Sequence, residues 1–251
     1  MDNPLFYKYY DTLFATKDYA GEVAAVLEFC HKYPLQPLEN ILELGCGTGN
    51  HTLELAKDAG VQVTAVDNDD AMLALAAEKA AVARRINITF AAGCQTAKNT
   101  DLCVALFNVV NYLCTDEQLQ QFFAGVAASL RSQGLFIFDC WNGTAALQDP
   151  PGAKSYEQQI DGQKLSCHLT TKTDFARETA ILNYSLKLFA KSGKLIESDH
   201  YRIEHRLWTP ARIKAALKEA GLDLLLVCIP FRFDVAASDV DWKIMFACRK
   251  S

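Results

Sequence analysis

Glu43-Leu44-Gly45-Cys46-Gly47-Thr48-Gly49 follows directly on the short apolar run Ile41 to Leu44 and precedes a segment, His51 to Ala59, that reads as helical. A strand that turns through glycines into a helix is how a doubly wound parallel sheet begins, and the glycines let backbone approach a ligand closely. The next β-branched run, Val61 to Val66, ends in Asp67. A carboxylate about twenty residues after such a bend is placed to accept hydrogen bonds from two ribose hydroxyls. Bend and acid together predict a nucleoside-containing cofactor. The spacing is GxGxG, with Asn50 where the last glycine of the dinucleotide fingerprint would fall, and this argues against a nicotinamide oxidoreductase. Glu43, ahead of the glycines, also suits a cationic ligand better than a pyrophosphate.

Outward from this stretch, strands and helices alternate. Val23, Val26, Leu27 and Cys30 recur at helical spacing between Tyr19 and Tyr33, and Pro34 and Pro37 stop that helix. Asp70 to Arg84 is rich in strong helix formers. Ile88 to Ala91 and Leu102 to Leu106 read as strands. Thr115 opens a helix with Gln118 placed to close a capping box, and Gly134 leads into the strand Leu135 to Asp139. This order implies a parallel sheet covered on both faces. After Asp149-Pro150-Pro151-Gly152 the rhythm changes. Lys164 to Thr173, Thr179 to Phe189 and Leu195 to Leu207 are strand-like and separated by turn residues, as in an antiparallel insertion. Thr209 and Pro210 then start a helix that stops at Gly221, and two closing strands follow, Leu222 to Ile229 and Trp242 to Cys248.

A chain of 251 residues, half of them hydrophobic, can bury a sizeable core. Its net charge of -5 gives no general attraction to phosphate backbones or anionic membranes. Nucleic acid and membrane partners are therefore not expected. Met1 to Tyr10 has neither a signal-peptide h-region nor an Arg-rich presequence, and the expected location is the cytoplasm. The nine cysteines form no CxxC pair and read as core residues in a reducing compartment. No cluster has zinc-ligand spacing, so no metal is expected.

Glu43 to Gly49, followed by Asp67-Asn68-Asp69-Asp70-Ala71-Met72-Leu73, closely resembles motif I and the acidic second-strand motif of class I S-adenosylmethionine-dependent methyltransferases. The resemblance implies a Rossmann-like α/β fold: a seven-stranded, mostly parallel, doubly wound sheet with an antiparallel β insertion before the last helix. Residues 1–149 and 209–251 would form the cofactor domain with an amino-terminal helical lid, and residues 150–208 a substrate cap. It further implies S-adenosyl-L-methionine as cofactor, with Glu43, Gly45, Cys46, Gly47 and Gly49 around the methionine part, Asp67 and Asn68 at the ribose and Met72 against the adenine. Many members carry Asp after the third strand, where this chain has Cys94, with Gln95 beside it as a substitute. Tyr10-Asp11 with Lys17-Asp18-Tyr19, and the insertion, resemble the N-methyltransferases of nucleotide-linked amino sugars. The implied activity is N-methylation of an amino sugar or related amine. A small-metabolite O-methyltransferase and a cofactor-binding module without transferase activity are the alternatives.

Methyl transfer from a sulfonium is an in-line displacement, so alignment of nucleophile, methyl and sulfur is the main requirement. Candidates lie at the carboxyl ends of the strands. Phe107 and Asn108, with Tyr19 above, are expected at the cofactor, and Asn111, Tyr112, Trp141, Tyr9 and Arg206 at the small-molecule acceptor. Tyr10, Asp139, His200 and His205 are the candidates for catalysis, a histidine serving as base because it titrates near neutrality. Asp139 can equally cap the loop after its strand. His31, His51 and His168 are expected to be incidental. A homodimer is one assembly open to the chain.

Overall fold

The computed structural model describes residues 4–33, 37–93 and 97–251. The chain runs α1 (Pro4–Lys8), α2 (Tyr10–Leu13), α3 (Tyr19–His31), β1 (Asn40–Leu44), α4 (Asn50–Leu55), β2 (Gln62–Asp67), α5 (Asp70–Val82), β3 (Ile88–Ala92), β4 (Thr100–Ala105), a 3-10 turn (Val109–Tyr112), α6 (Asp116–Ser129), β5 (Leu130–Trp141) and α7 (Gly143–Gln148). It continues through β6 (Lys154–Ile160), β7 (Gln163–Asp174), β8 (Thr179–Phe189), β9 (Leu195–Arg206), α8 (Pro210–Glu219), β10 (Leu222–Ile229), β11 (Arg232–Ala236) and β12 (Lys243–Lys250).

Eight strands form the large sheet, in the order β11-β10-β12-β5-β4-β1-β2-β3. β1 to β5 pair in parallel, whereas β12 runs antiparallel to β5, and β10 and β11 antiparallel to their neighbours. The parallel α/β architecture expected from the motif pair is present, with one strand more than the seven expected. The extra strand is β11, short and charge-laced, which the alternation of apolar residues does not mark out. Its Phe233 stacks on Phe29 of α3 at 4.3 Å. β1 lies between β2 and β4, so the strand order reverses there and a crevice opens above their carboxyl ends.

The period-two alternation of the central strands divides the core into two layers. Phe136 and Phe138 of β5 and Phe246 of β12 face α6 and α8, and Phe138 and Phe246 stack at 5.0 Å. Leu135, Ile137, Met245 and Ala247 face the opposite layer, with Val26 and Phe29 of α3. Burying each large apolar side chain contributes roughly 1.5–3 kcal/mol. Thr115 caps α6 in a capping box with Gln118, and Thr209 caps α8 ahead of Pro210.

The second sheet, β6-β7-β8-β9, is antiparallel throughout. Its strand β6, polar along most of its length, was not legible as a strand. Leu165, Cys167 and Leu169 of β7, Leu182 and Tyr184 of β8 and Ile203 of β9 make its inner face, onto which Leu5, Phe6, Tyr9 and Leu13 pack. Phe6 stacks on Tyr201 at 4.1 Å, which fixes the amino-terminal helices between the two sheets.

Candidate active site

The bend after β1 is held from below: the amides of Gly45 and Cys46 both donate to the Val66 carbonyl, at 2.7 and 3.0 Å. Gly45, Gly47 and Gly49 all have positive φ, a region costly for other residues. At Gly45 a Cβ would also meet Val109 at 2.5 Å, so this glycine is required for packing against the loop after β4. At Gly47 a Cβ would meet nothing within 4 Å. Gly47 turns its bare side to the cleft.

Asp67, at the end of β2, accepts from the Gly47 amide at 2.7 Å and from the Asp69 amide at 3.0 Å. Burial raises the pKa of its carboxyl, and those two amides pull it back. Each oxygen keeps a lone pair for a hydroxyl donor. Asn68 and Met72 line the same wall, as do Cys46, Phe107 and Asn108. Phe107 and Asn108 have φ of +72° and +65°, two successive non-glycine residues in the left-handed region at the end of β4. The Phe107 amide donates to Asp139 at 2.6 Å, which anchors this strained turn.

These groups border one cleft of about 1420 Å³ that runs from the glycine bend to the inner face of the second sheet. Tyr10, Tyr19, Tyr112, Trp141 and His205 line it, as expected from the sequence. His205 is 5% exposed, its ring lies edge-on to Tyr112 at 4.8 Å and Trp141 at 4.9 Å, and neither ring nitrogen has a hydrogen-bond partner. Burial, with the Lys243 ammonium nearby, lowers its pKa to about 3. The imidazole is therefore neutral at physiological pH and has a free lone pair.

Other expected residues lie elsewhere. Glu43 sits beneath the bend, 2% exposed, and accepts from the Thr52 hydroxyl at 2.5 Å. Gly49 turns the chain into α4 behind the cleft wall. Asp139 is buried and occupied by Phe107, so it positions that turn and does not face the cleft. Asn111 is fully buried and ties the two sheets together: its amide donates to the Arg206 carbonyl at 2.8 Å and its oxygen accepts from the Trp141 amide at 2.9 Å. Tyr9 belongs to the core of the second sheet, because Tyr10 and not Tyr9 points to the cleft. His200 is exposed and bonds Ser185 at 3.1 Å, and Arg206 pairs with Glu178 at 2.7 Å beside the Trp208 ring. Both lie opposite His205 because they stand at odd separations from it on one strand. Cys94 and Gln95 lie outside the described residues.

Several residues at and around the cleft were missed. Asp11 accepts from Thr48 at 2.6 Å, Asn50 at 2.9 Å and Lys79 at 2.7 Å, and Tyr7 donates to Asp69 at 2.6 Å. These bonds latch the amino-terminal helices over the bend. His51, expected to be incidental, lines the cleft and bonds Glu22 at 2.7 Å. Lys17, Lys243, Tyr184, Tyr201 and Trp242 complete the walls. Among the described residues no group of three or more metal-ligating side chains is found.

Residues 41–134, which include the glycine bend, Asp67 and the strained turn, match the family model described as a methyltransferase domain. Over this segment the chain is similar to methyltransferases. A protein of Geobacillus sp. (strain WCH70) named as a putative methyltransferase is 33% identical over 138 residues, so the match spans about half of each chain, 53% of this one and 55% of that one. The likeness of fold extends further than this. An S-adenosylmethionine-dependent methyltransferase from Clostridium acetobutylicum ATCC 824 superposes with a TM-score of 0.78 at 20% identity, over 97% of this chain and 96% of that one. An S-adenosylmethionine-bound amino pentose methyltransferase from Micromonospora echinaspora gives 0.75 at 18% identity, over 96% of each. Both likenesses cover the second sheet as well as the methyltransferase sheet.

Proposed function

We propose that this methyltransferase binds S-adenosylmethionine along Gly45 to Gly47, Asp67, Asn68 and Met72, and methylates a small amine under the cap formed by residues 150–208. The observation that carries this reading is the pairing of Gly47 with Asp67 at the mouth of a cleft that continues to His205. The residues fit the cofactor: Gly47 leaves room for close approach, Asp67 retains acceptor capacity for two hydroxyls, and Met72 offers an apolar surface. The bound cofactor supplies a methyl on a cationic sulfur, already activated for displacement.

The chain's own part is placement. Phe107 and Asn108, fixed by Asp139, set the floor between cofactor and acceptor. Tyr10, Tyr112 and Trp141 shape the acceptor end, and neutral His205 accepts a hydrogen bond from the acceptor N–H, which orients the nitrogen lone pair toward the methyl. An amino sugar fits this reading, supported by the amino pentose specificity named for the Micromonospora protein. His205 would serve a hydroxyl acceptor equally well. The eight described cysteines are all unpaired, which fits a reducing, cytoplasmic location. Among the described residues no helix is long and apolar enough to cross a membrane.

The test is turnover. Incubation with S-adenosylmethionine and a panel of amines, amino sugars and alcohols, read by mass spectrometry, should give a methylated amine together with S-adenosylhomocysteine. Binding of the cofactor without methylation of any panel member would favour a non-catalytic module. Tight binding of NADH would overturn the reading altogether.

A further inference from the structure

Three lysines from separate parts of the chain line one cleft: Lys17 ahead of α3, Lys154 at the start of β6 and Lys243 at the start of β12. The Lys17 and Lys243 ammonium groups stand 4.8 and 5.6 Å from the centre of the same Phe107 ring. Lys17 is paired with Glu22. Among the described residues the Lys243 ammonium has neither an ion pair nor a hydrogen bond, only the Phe107 ring beside it. Of the two acids that act on its charge, Asp139 lies behind the cleft wall with the Phe107 amide and Glu22 is taken by Lys17 and His51, while Lys17 and Lys154 both repel it. Asp67, Asp69 and Asp149 are the acids on the described cleft wall, and none of them pairs with a lysine. Lys17 is half-buried and Lys154 and Lys243 are exposed to the cleft, so three like charges face one space that an anion can enter from solvent. In register, Lys243 stands beside Trp141, at the carboxyl end of β5 next to His205.

We propose that Lys243 binds an anionic group, a carboxylate or a phosphate, on the small molecule methylated in this cleft, and thereby selects the acceptor. The proposal rests on the methyltransferase reading above. The methionine carboxylate of the cofactor is the second source of the same chemistry. An acceptor held this way presents its nucleophile to His205 while its anion is neutralised by Lys243, and a purely cationic amine is disfavoured by all three lysines.

Trp141 and Trp242 both line the cleft, so tryptophan fluorescence can follow binding of benzoate and phenyl phosphate, with benzyl alcohol as the neutral control. The titrations use wild type, Lys243→Met and Lys243→Arg, each ligand-free and saturated with S-adenosylhomocysteine. Wild type should prefer the anions by about tenfold or more, Lys243→Met should lose the preference and Lys243→Arg should keep most of it. Calorimetry with S-adenosylhomocysteine and with methylthioadenosine, which lacks the carboxylate, separates the sources. An acceptor-side anion leaves both affinities unchanged in Lys243→Met; a cofactor-side anion shows as a selective loss for S-adenosylhomocysteine. Equal binding of anions and benzyl alcohol to wild type, or an anion preference that survives in Lys243→Met, overturns the proposal. Failure of wild type to bind S-adenosylhomocysteine would sink the methyltransferase reading instead, and the ligand-free titrations would then decide the role of Lys243.

Discussion

His200 and His205 lie five positions apart on β9, and because side chains alternate along a strand they face opposite sides of the second sheet. His205 enters the cleft; His200 stays outside with Ser185. That parity was present in the sequence, but which side faced the cleft depended on long-range packing. His205→Asn should lower kcat by about a hundredfold with little change in S-adenosylhomocysteine affinity, since the acceptor nitrogen loses the group that orients it. With its pKa lowered to about 3, His205 should impose no loss of rate as pH falls from about 8 to 5, which a pH-rate profile of wild type checks. The place of Asp67 beside Gly47 was legible from its distance to the glycines along the chain. Asp67→Ala should weaken S-adenosylhomocysteine binding by about 1–3 kcal/mol in calorimetry, through loss of a charged acceptor.

The strands and helices of the large sheet were readable because their periodicity and caps act locally. Thr115 with Gln118, and Thr209 with Pro210, mark helix starts by chemistry confined to one turn. β6 and β11 were not readable, since polar edge segments become strands only through their partners. The latch formed by α1 and α2 belongs to the same class: nothing local in Asp11 announces bonds to Thr48, Asn50 and Lys79. Those partners hold the Asp11 carboxyl below its ordinary pKa despite its partial burial. Its contribution is therefore present above the ordinary carboxylate range and is lost as pH falls below it. The carboxylate is half exposed, so Asp11→Asn should cost about 1 kcal/mol or less of cofactor affinity, appearing as roughly fivefold faster S-adenosylhomocysteine dissociation in stopped flow. An unchanged rate would mean that the latch does not gate the bend.

Across the whole molecule, two sheets share one cleft, and Asn111 joins them through the Arg206 carbonyl and the Trp141 amide. From sequence it looked like an acceptor contact, because position after β4 does not reveal side-chain direction. Asn111→Ala leaves two part-buried backbone groups unpaired and should lower unfolding free energy by about 1–3 kcal/mol in denaturant titration. Glu43 sets a pH trend. Burial raises its carboxyl to about 8 from the usual 4.5, so the folded state holds a proton that the unfolded chain releases between those values. Stability should therefore fall as pH rises through that window, and Glu43→Gln should flatten this part of the thermal-denaturation profile. The fold and the pairing of the glycine bend with Asp67 were legible in the sequence, whereas the far part of the cleft, lined by Tyr10, Trp141, His205 and Lys243, was legible only in part. The most direct measurement is a crystal structure of the protein with S-adenosylhomocysteine. It should place the ribose hydroxyls on the Asp67 carboxylate and the ligand backbone against Gly47, with the sulfur directed toward His205. Adenosine bound elsewhere, or a crevice at Gly47 filled by protein side chains, would contradict the account.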